Sequence, residues 1–291
     1  MDDAHVQPPG PAWAAPAAAG PVRARLAIPG SKSETNRALV LAALAGGPGT
    51  IRHPLRARDT LLMRAALTAL GATISDATGP DKLHYAPDGA PESPGWQVAP
   101  GQPTADTSVH VGNAGTVMRF APPVAALSPV SVAFHGDPRA SQRPVAPVLA
   151  ALRELGAVID DGGRGAIPFT VHGTGSLPGG VVTLDASGSS QLVSGLLLAA
   201  PRFDHGVEVR HSGPPVPSLP HIEMTVRMLR DAGATVEVGA GERPDHWVVR
   251  PGRLHHRYPP RYRCAAAPNR RSAHCRGRCR RQEFLCPRRS R

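Results

Sequence analysis

Cysteine is missing from the first 254 of the 291 residues, and all four thiols, Cys264, Cys275, Cys279 and Cys286, lie beyond that point. Acidic residues are missing in the opposite place: from His255 to Arg291 there are twelve Arg and one acid, Glu283. No apolar run reaches the roughly 18 residues that a membrane-spanning helix needs, so no span is expected. The first twenty residues lack both a basic start and an apolar stretch, which excludes a secretory signal and makes the cytoplasm the expected location. Aromatic residues are only 4% of the chain, yet the hydrophobic total of 41% suffices for a core. The net charge of +11 invites a nucleic-acid reading, but its distribution argues against one for the body. Of 33 basic and 22 acidic residues, the last segment takes twelve and one, leaving 21 of each sign before His255. The body is neutral and cysteine-free; the tail has a different composition.

Proline (33) and glycine (31) are plentiful. Residues 1–20 are mostly Ala, Pro and Gly and read as a disordered leader. The stretch P-G-S-K-S-E-T-N-R, Pro29 to Arg37, follows, and the apolar run Ala38 to Ala45 continues it with helical composition. Lys32, Ser33 and Thr35 therefore stand at a helix N-terminus, where free N–H groups and the positive end of the dipole attract anions. Arg37 lies four residues beyond Ser33, so the two can face the same way. The plainer reading is an ordinary capped helix with solvated charges.

The body repeats itself. L-T-A-L-G-A-T-I (67–74), L-R-E-L-G-A-V-I (152–159) and L-R-D-A-G-A-T-V (229–236) each combine a helix end, a glycine and the opening of a strand. A short alternating strand starts each unit, at Val22–Ile28, Thr107–Val111 and Val181–Asp185. Helices follow over Lys32–Ala45, Ala114–Leu127 and Ser190–Ala200, then strands over Gly49–His53, Val130–His135 and Gly206–His211. Second helices are expected over Asp59–Leu70, Pro144–Leu155 and Leu219–Asp231, with Asp59 and Ser218 as N-caps and Pro144 at the first helical position. Closing strand pairs are Ala72–Ser75 with Leu83–Ala86 or Trp96–Ala99, Ala157–Asp160 with Phe169–His172, and Ala234–Val238 with Trp247–Arg250. The fold class is α/β (α+β), three βαβαββ units of about 21–100, 101–175 and 176–252, packed with pseudo-threefold symmetry.

The start of the first helix in each unit reads S-K-S, G-N-A-G-T and S-G-S-S-Q, all small, polar and rich in donors. A purely structural repeat needs a cap there, but not Lys32, Asn113 and Gln191 as well. If the three N-termini converge, they form one anion site. G-D-P-R-A-S-Q-R-P (136–144) adds Arg139 and Arg143, whose guanidinium forks suit phosphate or carboxylate. V-P-S-L-P-H (216–221) places Ser218 in the equivalent position of the third unit. Taken singly, each of these residues reads as a loop charge or a plain cap.

PGSKSETNR, VGNAGTVMRF, GDPRASQRPV, DASGSSQLVSGLLLAAP and VPSLPHIEMT together resemble, in order, the N-terminal half of the enolpyruvyl transferases of the EPSP synthase type, over Pro29 to about Gly252. The UDP-N-acetylglucosamine enolpyruvyl transferases are an alternative that resembles the chain less, since they carry a different first motif and use a loop cysteine. The resemblance implies one domain of a two-domain fold. It also implies transfer of an enolpyruvyl group from phosphoenolpyruvate to the 5-hydroxyl of shikimate 3-phosphate in the shikimate pathway. No metal or cofactor is implied, and a monomer is expected. By motif, Lys32 contacts both substrates and is the catalytic candidate. Ser33 and Arg37 match the carboxylate side of shikimate 3-phosphate, and Ser189, Ser190 and Ser218 its phosphate. Gln191 matches a group between the substrates. Asn113, Gly115 and Arg139 match the phosphoenolpyruvate side, with Thr116 and Arg119 in support. His221 departs from the tyrosine often found there.

Residues 253–291 have no counterpart in the resemblance and show no sustained period of 2 or 3.6. His274, Cys275 and Cys279 fit no strong zinc pattern. An arginine-rich tail binding nucleic acid non-specifically, in a non-catalytic fragment, is the alternative function. The favoured reading is an out-of-frame segment starting near His255, with the second domain's carboxylates and cations missing and turnover therefore not expected.

Overall fold

Each repeated helix ends on a glycine in the left-handed region, Gly71 (φ 97°), Gly156 (104°) and Gly233 (92°), so the repeat seen in sequence is a repeated backbone turn. A Cβ at Gly71 would overlap the backbone of Gln102, so this turn also requires close approach. The computed structural model describes residues 30–77, 95–241 and 244–255. The strands read at Val22–Ile28 and Leu83–Ala86, the 1–20 leader and nearly all of the tail lie outside these residues.

The first unit contains α1 (Lys32–Ala43), β1 (Gly49–Ile51), α2 (Arg58–Ala69), β2 (Thr73–Asp76) and β3 (Trp96–Ala99). The second contains β4 (Thr107–His110), α3 (Gly115–Ala125), β5 (Ser131–His135), α4 (Ala146–Glu154), β6 (Val158–Asp160) and β7 (Phe169–His172). The third contains β8 (Gly180–Leu184), α5 (Ser190–Ala199), β9 (Val207–His211), α6 (Leu219–Asp231), β10 (Val236–Val238) and β11 (His246–Val249). Two sheets have the same order, β4-β5-β7-β6 and β8-β9-β11-β10, while the first reads β1-β3-β2 among the described residues. Within the four-stranded sheets the first pair is parallel and the rest antiparallel.

The helices repeat the symmetry. α1, α3 and α5 contact one another; α2 packs on α1 and α3, α4 on α3 and α5, and α6 on α5 and α1. The inner three are buried almost all round, as helices enclosed on every side must be: Leu39, Val40, Val117, Phe120, Leu196 and Leu197 have no exposed surface. Two prolines, Pro122 and Pro123, lie inside α3. Pro123 has no N–H to give the carbonyl of Arg119, four residues earlier. Gly195 of α5 packs against that same carbonyl, where a Cβ would overlap it. A missing hydrogen bond in one helix and a missing side chain in the next thus coincide where α3 and α5 meet.

Two capping expectations are corrected. Asp59 lies within the first turn of α2, whose N-cap is Ala57; the cap bond comes from Thr60, whose Oγ1 accepts from the Ala57 N–H at 3.0 Å. Pro144 precedes α4, which starts at Ala146 after Val145, so Pro147 rather than Pro144 takes the early helical position that tolerates proline. Ser218 is the N-cap of α6 as expected, but in left-handed backbone (φ 57°, ψ 48°) and without a side-chain cap bond.

Candidate anion-binding site

The second and fifth residues of the inner helices are Ser33 and Asn36 in α1, Thr116 and Arg119 in α3, and Gln191 and Ser194 in α5. They bond around a ring. Asn36 Nδ2 donates to Thr116 Oγ1 at 2.7 Å, joining α1 to α3. Arg119 Nη1 donates to Gln191 Oε1 at 2.9 Å, joining α3 to α5. The third join goes through Arg37, which donates to Ser194 Oγ at 3.2 Å and to the Ser33 carbonyl at 3.0 Å, closing α5 onto α1. The three N-termini are therefore tied together, and the residues ahead of them share one end of the bundle. Ser31 caps α1 by accepting from the Glu34 N–H, and Ser189 caps α5 by accepting from the Gln191 N–H. The inner N–H groups that remain point from three helix dipoles toward that end.

Gly115 sits at the middle of this arrangement. A Cβ there would lie 2.7 Å from Arg119 Nη1, 3.1 Å from Gln191 Oε1 and 3.2 Å from Arg143 Nη2. Three polar side chains from three segments thus crowd over one glycine. Arg143 is fixed by donating to the Asn113 carbonyl at 2.6 Å. Arg119 donates twice to the Pro144 carbonyl, at 3.1 and 2.8 Å. Burial, and secondarily the charge of Arg143, lowers the Arg119 pKa to about 10, which leaves it cationic at neutral pH. Neither guanidinium has a carboxylate partner among the described residues. Asn113 Oδ1 is buried without a hydrogen-bond partner among them. Arg139 is exposed on the 3-10 turn Pro138–Gln142, ahead of Arg143. Two guanidiniums side by side without an acid, beside open helix N-termini, attract an anion.

Lys32 is half exposed and pairs with Asp59 Oδ2 at 3.0 Å. An exposed pair of this kind is worth about 1 kcal/mol or less, so the ammonium can turn to a stronger anion at little cost. Ser189 and Gln191 are half-buried and Ser190 buried at the start of α5, while Ser218 is exposed at the start of α6.

Arg37 meets Ser33, as the four-residue spacing allows, through the Ser33 carbonyl at 3.0 Å, but deep inside the bundle. It is 1% exposed and points inward, donating through Nε to Thr225 Oγ1 at 2.7 Å and through Nη2 to the His221 carbonyl at 3.0 Å. With Ser33 and Ser194 these bonds use four of its five N–H groups. Burial lowers its pKa to about 10, opposed by Glu34. Its face also covers the Phe120 ring, 5.3 Å from the centroid. Here Arg37 holds helices together. Burial, and next the Arg37 charge, lower the pKa of His221, so the exposed imidazole is neutral near pH 7.

Asn36, Ser194 and Thr225 were not singled out from the sequence. For Asn36 and Ser194 a signal was present: counting from the first helical residue, Asn36, Arg119 and Ser194 are each the fifth residue of a helix built around an apolar run, whereas Thr225, the seventh residue of α6, follows no such pattern.

The profile of the EPSP synthase (3-phosphoshikimate 1-carboxyvinyltransferase) family matches residues 16–266. The 3-phosphoshikimate 1-carboxyvinyltransferase of Kocuria rhizophila is 52% identical over 246 residues, covering 82% of this chain and 53% of that protein. Two solved structures of EPSP synthase from Acinetobacter baumannii share 25% identity, with TM-scores of 0.62 and 0.63. Each match covers 79% of this chain, but only 47% and 48% of theirs. The chain thus spans about half the length of the relatives it matches. With the matched profile running through every segment that builds the ring and the cationic end, the chain belongs to the EPSP synthase (3-phosphoshikimate 1-carboxyvinyltransferase) family.

Proposed function

We propose that this chain forms one wall of the substrate site of a 3-phosphoshikimate 1-carboxyvinyltransferase. The observation that carries the reading is the group around Gly115: Arg119 and Arg143 without a carboxylate partner among the described residues, beside three tied helix N-termini. Shikimate 3-phosphate and phosphoenolpyruvate each carry a phosphate and a carboxylate, so a surface that holds both needs many donors, excess positive charge and few reactive groups. In this reading Ser33, Ser189, Ser190 and Ser218 hold shikimate 3-phosphate. Asn113, Gly115 and Arg139 hold phosphoenolpyruvate, and Gln191 lies between the two. Lys32 releases Asp59 and contacts both, assisting proton transfer. The 5-hydroxyl gives up its proton as its oxygen bonds to C2 of phosphoenolpyruvate and C3 takes up a proton. The bond from C2 to the phosphate oxygen then breaks as C3 loses a proton, releasing phosphate. Arg37 acts through Ser33 and Ser194, as a positioning residue. The units at about 21–100, 101–175 and 176–252, a monomeric state and a cytoplasmic location belong to the same proposal.

Calorimetric titration with shikimate 3-phosphate tests it. Weak saturable binding is expected, reduced roughly tenfold or more by Lys32→Met and by Ser190→Ala, since each removes a bond to a charged group. Unchanged affinity in both variants would move the site elsewhere.

A further inference from the structure

His211 ends β9, and its ring bridges two loops of the third unit. Nδ1 accepts from the Ala186 N–H at 3.2 Å, and Nε2 meets the Pro214 carbonyl at 2.8 Å. A main-chain N–H can only donate and a carbonyl can only accept, so Nδ1 carries no proton and Nε2 carries one. The two contacts together select one neutral tautomer. The main chain beneath the ring is held too, since His211 N donates to the Asp245 carbonyl at 2.6 Å.

The second unit ties the corresponding N–H without a side chain. Val111 lies four residues before α3, as Ala186 lies four before α5. Val111 N donates at 2.7 Å to the main-chain carbonyl of His135, the last residue of β5. In the third unit the same N–H goes instead to the side chain of the last residue of β9. The change adds a function, because the ring has a second nitrogen free to hold the opposite loop. The His135 ring makes no such bridge; it meets the His110 ring edge-on, with centroids 5.1 Å apart.

We infer that His211 is a positioning residue whose imidazole clasps the turn before α5 to the loop before α6, so that Ser189, Ser190 and Ser218 meet one anionic group. The role rests on the substrate reading given above for those serines. On one side the tie is short. Ala186 has no exposed surface, its carbonyl accepts from the Ser189 N–H at 3.0 Å, and Ser189 Oγ accepts from the Gln191 N–H at 3.2 Å. On the other side the loop from Ser212 to Ser218 reads S-G-P-P-V-P-S, and its prolines fix φ at three of seven residues. Fixing the Pro214 carbonyl therefore constrains Ser218, four residues on. Ser218 needs such a hold, because its backbone is left-handed (φ 57°, ψ 48°) and its side chain makes no cap bond. The two loops also touch directly. Ser212 N donates to the Leu184 carbonyl at 3.1 Å, and a Cβ on Gly213 would lie 2.9 Å from Asp185 Cγ.

Three variants of the full chain separate the two bonds. An asparagine amide oxygen stands about where Nδ1 does, and a glutamine amide nitrogen about where Nε2 does. His211→Asn thus keeps the Ala186 bond, His211→Gln keeps the Pro214 bond, and His211→Ala keeps neither. Without ligand, hydrogen exchange is expected to speed roughly fivefold or more at His221, whose N–H is held by the Ser218 carbonyl, in His211→Asn. In His211→Gln the faster amides are those of Ala186 and Ser189, and in His211→Ala all three. Nitrogen NMR of the wild type at neutral pH is expected to show Nε2 protonated and Nδ1 bare. The other tautomer, or exchange indifferent to which bond was kept, would overturn the inference. Calorimetry with shikimate 3-phosphate then reads the serines. His211→Ala is expected to weaken binding roughly tenfold, and combining it with Ser190→Ala to cost much less than the product of the two single losses. Losses that multiply in full would overturn the positioning role. A wild type that fails to bind would count against the substrate reading alone, since the tautomer and the exchange pattern decide the clasp without ligand.

Discussion

Glu34 shows how the site's charge is set one residue at a time. It follows Lys32 and Ser33 in α1, its Oε2 is buried without a hydrogen-bond partner among the described residues, and Arg227 stands 3.9 Å from its other oxygen. Burial raises its pKa above 4.5, and the charges of Arg227 and Arg37 offset this only in part. The native state therefore holds this proton more tightly than the unfolded chain. Its contribution to stability is fully present below pH 4.5 and is lost as pH rises through the raised value. Glu34→Gln is expected to raise Tm at pH 7 by a few degrees, with the gain shrinking to nothing near pH 4. A lower Tm at pH 7 would show that the Arg227 contact outweighs burial. The sequence displays Glu34, like Arg37, as one polar residue in a motif. What it does not display is burial, because α6 reaches α1 from nearly 190 residues away: the Arg37–Thr225 bond spans 188 positions. Lys32, Ser190 and Gln191 were legible because their places follow from the first turn of their own helices. The inward turn of Arg37 depends on Ser194, Thr225 and His221, and no local pattern carries that.

Element by element, the sequence was readable wherever a turn enforces a backbone geometry. The three terminal glycines located three helix ends, and α6 runs over Leu219–Asp231 as the periodicity had it. The starts of α2 and α4 were misplaced because Asp59 and Pro144 are good early-helix residues that a neighbouring position happens to precede or replace. Prolines 122 and 123 would ordinarily argue against a helix, but α3 is enclosed by α1, α2, α4 and α5, and packing outweighs the lost bonds. That compensation is testable at Gly195. Gly195→Ala gains helix propensity, about 1 kcal/mol in an exposed helix. Here its methyl overlaps the Arg119 carbonyl, and α3 and α5 must separate. A net loss of roughly 2–3 kcal/mol is expected, read by urea unfolding. Because Arg119 also holds Gln191, the proposed function adds that weaker binding of shikimate 3-phosphate accompanies it. A stabilised variant would mean that the two helices have room to part.

For the whole molecule the question is where the attraction for anions comes from, since two sources coexist. One is local: helix N-termini and the guanidiniums of Arg119 and Arg143, concentrated at one end of a body whose charges cancel overall. The other is diffuse, the twelve arginines beyond His255. They differ in reach. At about 0.15 M salt the screening length is about 8 Å, so a diffuse field contributes little to a ligand held in direct contact, but it dominates retention on a polyanion. Removing residues 256–291 takes away twelve basic groups and one acid and leaves 21 of each sign. The shortened protein is expected to lose retention on heparin while keeping the proposed affinity for shikimate 3-phosphate within about twofold at 0.15 M salt. If affinity falls in step with heparin retention, the tail and not the three helix starts supplies the binding. If affinity persists and then fails on Lys32→Met, the site lies where α1, α3 and α5 meet, and the tail's charge acts independently of it.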